Sequence, residues 1–442
     1  MIFGHTSHYI CSEDYSSELI IAHLNSTIHR FIANGLNPGL HYEVGDAKRL
    51  PIKEEFEQAG KLEQLVETGI ENRKKITKIS ETSADFDPDL AYKLLADGVQ
   101  SLLSAEDKHK AHVLTAHGIS DSILFEEYEI PDDIQNQMYS NLPKNVSDKP
   151  ALQECHVKYP DLFEDEVSVV SRERSELDEI TADLHDPEDA DLRELALETG
   201  VSPLTVAYLR DQHSLYTEDE KERAAGRAIS FIIGVLFGRW ETSEQLPEVN
   251  EEILAFESNN QDLNTLLEES FEMIFKEPYE ATEELREILG DDITEWTRSR
   301  FFRYHHVGEY KRRGQRNPIY WQLESPDGAF SCFVYYHDID ENTLPKLRGQ
   351  YLDPRIDELE NELETLNTQT SGDDPDKELL NRKEKVQNDL DDIKQFRDTI
   401  DEMIDDGVTV DVEKGIWENI KEWDQYEVLE TGLPKLKSSY SR

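Results

Sequence analysis

The chain has 442 residues, with 46 Lys or Arg against 96 Asp or Glu, giving a net charge of −50. That excess is spread over nearly every stretch rather than held in one tail, which points to a proteome adapted to molar salt; an acidic mimic of nucleic acid is the rival reading. Three distant cysteines (Cys11, Cys155 and Cys332) exclude a disulfide framework or zinc knuckle and point to a reducing cytoplasm, and the longest apolar run, "AISFIIGVLFGRW", is too short to cross a bilayer.

Hydrophobic residues make up 37% of the chain, enough for cores in roughly two to four domains. The pattern predicts a mainly α chain with a small β component (α+β): helical domains, one β-hairpin and an antiparallel coiled-coil hairpin. "SELIIAHLNSTIHRFIANG" predicts one helix, with Ile20, Ile21, Leu24, Ile28, Phe31 and Ile32 at helical spacing. With the extended stretch "LNPGLHYEVGDAKRLPI" it makes a first segment, residues 1–55. A helical domain is expected over 56–139, where Ala91, Leu94, Leu95, Val99, Leu102 and Leu103 form one stripe. Residues 140–190 carry Pro143, Pro150, Pro160 and Pro187 among many acids and predict an acidic linker or insertion.

Residues 191–300 return to helical signal. Within them "ELALETGVSPLTVAYLRDQ" has helix-turn-helix spacing, with Gly200 for the turn, Ser202 as N-cap and Pro203 at the first helical position. Its second helix offers DNA only Arg210 and Gln212, beside Asp211, which favours a structural helical pair. In "AAGRAISFIIGVLFGRWE", Gly234 and Gly238 predict close packing within a helix, and Arg239 a partner for carbonyls or an acid.

A basic segment and the β-hairpin are expected over 301–352. The one dense basic cluster of the sequence begins just before it: Arg298, Arg300, Arg303, Lys311, Arg312, Arg313 and Arg316, with His305 and His306 among them and only Glu309 opposed. A cation patch in so negative a chain is a candidate phosphate contact. Phe301, Phe302, Tyr304 and Tyr310 are placed to pack or stack beside it, so the seven cations and Tyr310 are the expected DNA-binding residues. "PIYWQLE" and "AFSCFVYY" predict two strands joined by the turn Ser325-Pro326-Asp327-Gly328. Over 353–406, Ile356, Leu359, Leu363 and Leu366 face Val386, Leu390, Ile393, Phe396, Ile400 and Met403, which predicts an antiparallel coiled-coil hairpin bent at "SGDDPD". Residues 407–442 hold a last helix with Trp417 and Trp423, then a basic tail.

No metal-ligand spacing or nucleophilic triad stands out in the sequence. Asn317-Pro318-Ile319-Tyr320 approaches the [Asn/Asp/Ser]-Pro-Pro-[Tyr/Phe] motif with which amino-methyltransferases hold a flipped base, but Ile replaces the second Pro and a basic loop precedes it instead of a buried strand.

Two resemblances follow from these segments. Leu24-Asn25-Ser26, the Asn37-Pro38 turn, Val44-Gly45-Asp46 and the exit Leu50-Pro51-Ile52 resemble the sequence that closes the target-recognition region of type I and type IIG DNA-modification proteins. "AAGRAISFIIGVLFGRWE", then "NPIYWQLESPDGAFSCFVYYHDIDENTL", then an acidic helical hairpin resemble, in that order, segments of the large adenine-specific DNA methyltransferases of BREX and phage-growth-limitation systems, the PglX family; Asp338 departs from the base usual after His337. The resemblance implies the C-terminal recognition and spacer part of an enzyme that moves a methyl group from S-adenosylmethionine to adenine N6, starting at the tail of a target-recognition domain. It implies double-stranded DNA as partner, with other phage-defence proteins, and no membrane. No cofactor is expected in this chain. S-adenosylmethionine is expected on an N-terminal catalytic domain missing from this chain, because the glycine-rich cofactor turn and the full Asn-Pro-Pro-Tyr motif are lacking here, and whether an upstream-encoded half supplies it stays open; the chain alone is expected to be inactive. A non-enzymatic DNA-binding or coiled-coil scaffold, or the remnant of a broken methyltransferase gene, is the competing reading.

Overall fold

The computed structural model describes residues 15–36, 51–53, 55–140, 218–243, 252–257, 262–290, 292–312, 315–371 and 376–429. The expected linker beyond Ser140, the helix-turn-helix segment, the Val44-Gly45-Asp46 strand and Arg313 lie outside those residues. Two compact units result: residues 1–80 with 103–217, and residues 81–102 with 218–442. The helical stretch expected as one domain over 56–139 is thus shared between them.

The first unit is helical. Its elements are α1 (Ser17–Asn25), α2 (Thr27–Leu36), α3 (Ala59–Ile79), most of α5 (Ser101–Glu127) and α6 (Asp132–Ser140); α4 (Pro88–Leu95) belongs to the second unit. The single helix expected from 17 to 35 is broken at Ser26, whose backbone is extended. Asp121, on α5, explains the restart. Its carboxylate accepts from the Thr27 N–H at 2.8 Å and the Thr27 hydroxyl at 2.7 Å. A helix N-terminus needs acceptors for its free amides, and here another helix supplies them.

In the second unit α7 (Glu218–Leu236) is buried along its C-terminal half, including Ala228, Ile229, Ile232, Ile233 and Leu236. It packs on α8 (Leu263–Ile274) and α9 (Pro278–Leu289). Helix α10 (Ile293–Trp296) then widens into a π-helix over Thr297–His306 and closes at Val307–Glu309, so the first half of the basic segment is helical. The expected β-hairpin is present, with β4 (Tyr320–Glu324) antiparallel to β5 (Ser331–Tyr335) and Tyr320 opposite Tyr335. Gly328, at φ +77, takes the turn position that side chains avoid, and its N–H donates to the Ser325 carbonyl at 3.0 Å.

A third strand, β1 (Ile253–Ala255), pairs with β5, giving the order β1-β5-β4. It was not expected, because three buried residues in a row carry no alternation to read. Separately, β2 (Lys311–Arg312) and β3 (Gln315–Arg316) form a short ribbon.

Beyond the sheet, α11 (Thr343–Lys346) runs through Leu347–Leu352 into α12 (Asp353–Gln369), and α13 (Lys377–Asp405) returns antiparallel to it. Lys394 pairs with Glu360 at 2.6 Å and Arg382 with Glu362 at 2.7 Å across the two arms. Ile356, Leu359 and Leu366 are buried against Val386, Leu390, Ile393, Phe396, Ile400 and Met403. After α14 (Ile416–Trp423) the chain returns to the edge of β4, where Glu324 N–H donates to Val428 carbonyl at 3.0 Å.

One acid joins this helical pair to the sheet. Asp392, in the middle of α13 and 4% exposed, accepts from the Ser325 hydroxyl at 2.5 Å, the Asp327 N–H at 2.9 Å and the Ala329 N–H at 3.0 Å. The turn between β4 and β5 is therefore held by a helix far along the chain. Asp392→Ala leaves two amides and a hydroxyl without their acceptor and should cost about 2–4 kcal/mol. Denaturant titration measures it, and a change under about 1 kcal/mol would refute this role. Leu363→Asp, at a half-buried position further out on α12, should instead expose the arms to protease while residues 1–80 and 103–140 keep their protection.

Candidate nucleic-acid interface

The described members of the expected basic cluster are divided between a helix and a short ribbon. Arg298, on the π-helix, is turned inward. It is paired with Glu257 and donates to the Gly328 carbonyl at 2.7 Å, while the second Glu257 oxygen accepts from the Ser331 N–H at 3.1 Å. Burial pushes the Glu257 carboxyl up, and Arg298 opposes that shift. This cation closes the turn of the sheet. Arg300 pairs with Glu222 of α7 at 3.2 Å, and Arg303 is half-buried. Lys311, Arg312 and Arg316 lie on the ribbon, with Lys311 opposite Arg316 and Arg312 opposite Gln315. Tyr310, expected to pack or stack, is only 7% exposed and packs.

Beneath the ribbon lies a buried polar cluster that sequence reading did not assemble. Helix α7 ends at Leu236, and Gly238 (φ +68) reverses the chain so that the Arg239 N–H reaches the Gly234 carbonyl at 2.9 Å. Gly238 is therefore a helix terminator, not the packing glycine expected. Gly234 does provide close packing, since a methyl there would strike Trp240 and the Tyr320 hydroxyl. Gly226 does the same for the ring of His305.

The Arg239 guanidinium donates to the Tyr310 hydroxyl, to the Tyr320 hydroxyl at 3.1 Å and to the Glu81 carbonyl at 3.1 Å, and it lies 4.2 Å over the Trp240 ring. Burial works against its charge, but Tyr320, Tyr310 and Glu81 outweigh that and raise its pKa. Burial likewise raises both phenols, so each stays protonated. The Glu81 carboxylate, pushed up by its own burial, accepts from the Ser230 hydroxyl at 2.7 Å.

His306 completes the cluster. Its Nε2 accepts from the backbone N–H of Ile319 and of Tyr320, both at 3.0 Å. That fixes a neutral ring with its proton on Nδ1. Burial, then the neighbouring His305 and Arg239 charges, hold its pKa well below the usual histidine range. Tyr320 is wholly buried and stacks on His306 at 4.7 Å. The tyrosine of the Asn317–Tyr320 near-motif is thus committed to the core and is not presented to a base. The available signals were the two glycines of α7, two turns apart, and an arginine closing an apolar helix. Nothing in the sequence paired them with Glu81 or His306.

Among the described residues, no group of three His, Cys, Asp or Glu is arranged to hold a metal, and no helix is long and apolar enough to cross a membrane. No protein-family model matches the chain. Over 113 residues, 25% of this chain, it is 30% identical to the adenine-specific methyltransferase PglX of Lacticaseibacillus casei (strain Zhang). Over 115 residues, again 25% of this chain, it is 26% identical to the adenine-specific methyltransferase BrxX of Escherichia coli O9:H4 (strain HS). The matched stretches cover 8% and 9% of those proteins, so the chain accounts for under a tenth of their lengths. The chain is distantly similar to adenine-specific methyltransferases of this kind.

The buried histidines give a pH dependence. Burial, reinforced by Arg227 and Arg223 and opposed by Glu309, lowers His305 from 6.5 to about 4. Between those values the unfolded chain binds a proton that the folded chain does not. The stability His305 permits is therefore complete above 6.5 and is lost as pH falls through the window, at about 1.4 kcal/mol per pH unit. His306 acts in the same direction. His305→Asn should flatten the acid limb of stability against pH by one proton, read from urea unfolding at several pH values; an identical limb in both proteins would refute it.

Proposed function

We propose that this chain supplies DNA grip and spacing to an adenine-N6 DNA methyltransferase of a phage-defence system, with S-adenosylmethionine and the methyl-transfer centre on a catalytic domain outside it. The observation that carries this reading is the distant similarity to two adenine-specific methyltransferases. The ribbon supports it: Lys311, Arg312 and Arg316 lie on two paired strands within a chain of net charge −50. A two-stranded ribbon has the width that the major groove of DNA admits, and cations on it neutralise phosphates.

The expected contact set divides in this proposal. Arg300, Arg303, Lys311, Arg312, Arg313 and Arg316 take the phosphate-facing role. Arg298 and Tyr310, turned inward, support the elements that carry those residues.

Three outcomes test this reading. Calorimetry should detect no stoichiometric binding of S-adenosylmethionine to the purified chain, and DNA methylation should require an added catalytic half. Arg312→Ala with Arg313→Ala should weaken duplex binding similarly across sequences and lower the salt slope by about two, since each lost phosphate contact removes about one. Fluorescence anisotropy over a salt series, with and without the catalytic half, reads both quantities. Unchanged affinity in the double variant would remove this site, and no binding in either form would favour a protein-interaction scaffold.

A further inference from the structure

The ribbon is too short to stand alone. It has two residue pairs, and isolated two-stranded ribbons are marginal in water even when longer. Its order must come from below. The chain leaves the core at Tyr310 and re-enters it over Asn317–Tyr320, and hydrogen bonds hold both points. The Asn317 N–H donates to the Tyr310 carbonyl at 2.7 Å and closes the base. His306 Nε2 accepts from two successive amides of the returning strand, Ile319 and Tyr320. Arg239 then donates to the hydroxyls of both Tyr310 and Tyr320, one on each side of the ribbon. Tyr310 is 7% exposed and Tyr320 0%. One half-buried cation, itself fixed by the Gly238 reversal and by the Glu81 carbonyl, thus touches both ends of the same excursion.

We propose that Arg239 is a positioning residue for the ribbon: it fastens both ends of β2–β3 to the end of α7, so that the ribbon meets DNA already folded. This rests on the DNA-binding reading given under the proposed function. A ribbon ordered in advance gives up little chain entropy on binding, whereas a loose basic loop must be ordered by its ligand. Arg239 itself has no part in contacting DNA. Removing its grip should therefore weaken binding without changing the number of phosphates contacted, and that signature separates positioning from contact.

The test uses the full chain and Tyr310→Phe, which keeps the ring and deletes the hydroxyl, with Tyr320→Phe as a second variant. Two readouts are taken. Trypsin cleavage after Lys311 or Arg312 reports the order of the ribbon, and anisotropy with a short duplex over a salt series reports binding. Each variant should be cut at those bonds at least about fivefold faster than the unaltered chain, with a melting midpoint close to it. Each should bind the duplex about three- to tenfold more weakly, with an unchanged salt slope. Arg316→Ala should instead lower the slope by about one.

Cleavage and affinity unchanged in both tyrosine variants would overturn the proposal. So would cleavage spread throughout the chain with a collapsed melting midpoint, since the hydroxyls would then be general core contacts. A reduced salt slope in the tyrosine variants would overturn the division between positioning and contact. If the unaltered chain binds no duplex while the variants are cut faster at Lys311 and Arg312, the fastening stands and the DNA-binding reading fails.

Discussion

A half-buried guanidinium sets the organisation of the second unit. Arginine does not shed its proton, so Arg239 cannot be buried unless its donors find oxygens that converge from several directions. Here those oxygens come from Glu81 and, far along the chain, from the neighbouring Tyr310 and Tyr320. The consequences reach outward from the cation. Gly238 must reverse the chain to aim it, Gly234 must lack a side chain so that Trp240 and Tyr320 can close over it, and residues 81–102 must join the 218–442 unit. Lysine could not replace it, because a single ammonium lacks the planar fork that reaches two phenols and a carbonyl together.

Carboxylates play the converse part. Among the described residues few acids are drawn inside, and those are turned onto donors. Asp121 restarts a helix at Thr27, Asp392 holds the turn between two strands, and Glu257 joins Arg298 to the Ser331 amide. Surface charges in molar salt are screened within about 3 Å, but buried carboxylates bonded to amides are shielded from that screening. The internal electrostatics should therefore vary little with salt even where the surface depends on it strongly.

The helical pair and the β4–β5 hairpin were legible because their signals are local: two apolar stripes at 3-4 spacing, and aromatic runs around Ser-Pro-Asp-Gly. What was not legible was decided at a distance. Ser26 breaks a helix because Asp121 stands ready to cap the next one. β1 is a strand only because β5 offers it an edge. The sequence left Tyr310 open to packing or stacking because it sits among cations, and only the fold shows that Arg239 lies beneath it. The equal spacing of Gly234 and Gly238 concealed two different tasks, one of clearance and one of chain reversal.

The basic cluster makes the same point about charge. Seven cations within 298–316 look like one patch in the sequence, but a helix followed by a ribbon divides the described ones. Arg298 is consumed by Glu257 and the Gly328 carbonyl, and Arg300 has Glu222 beside it. Counting cations therefore overstates the field available to a phosphate. With a screening length of about 3 Å at molar salt, a cation helps only where it is already at contact distance. Under the proposed DNA-binding role, the placement of the ribbon would then matter more than the size of its charge, and Arg239, which holds that placement, would bear on affinity without meeting the ligand.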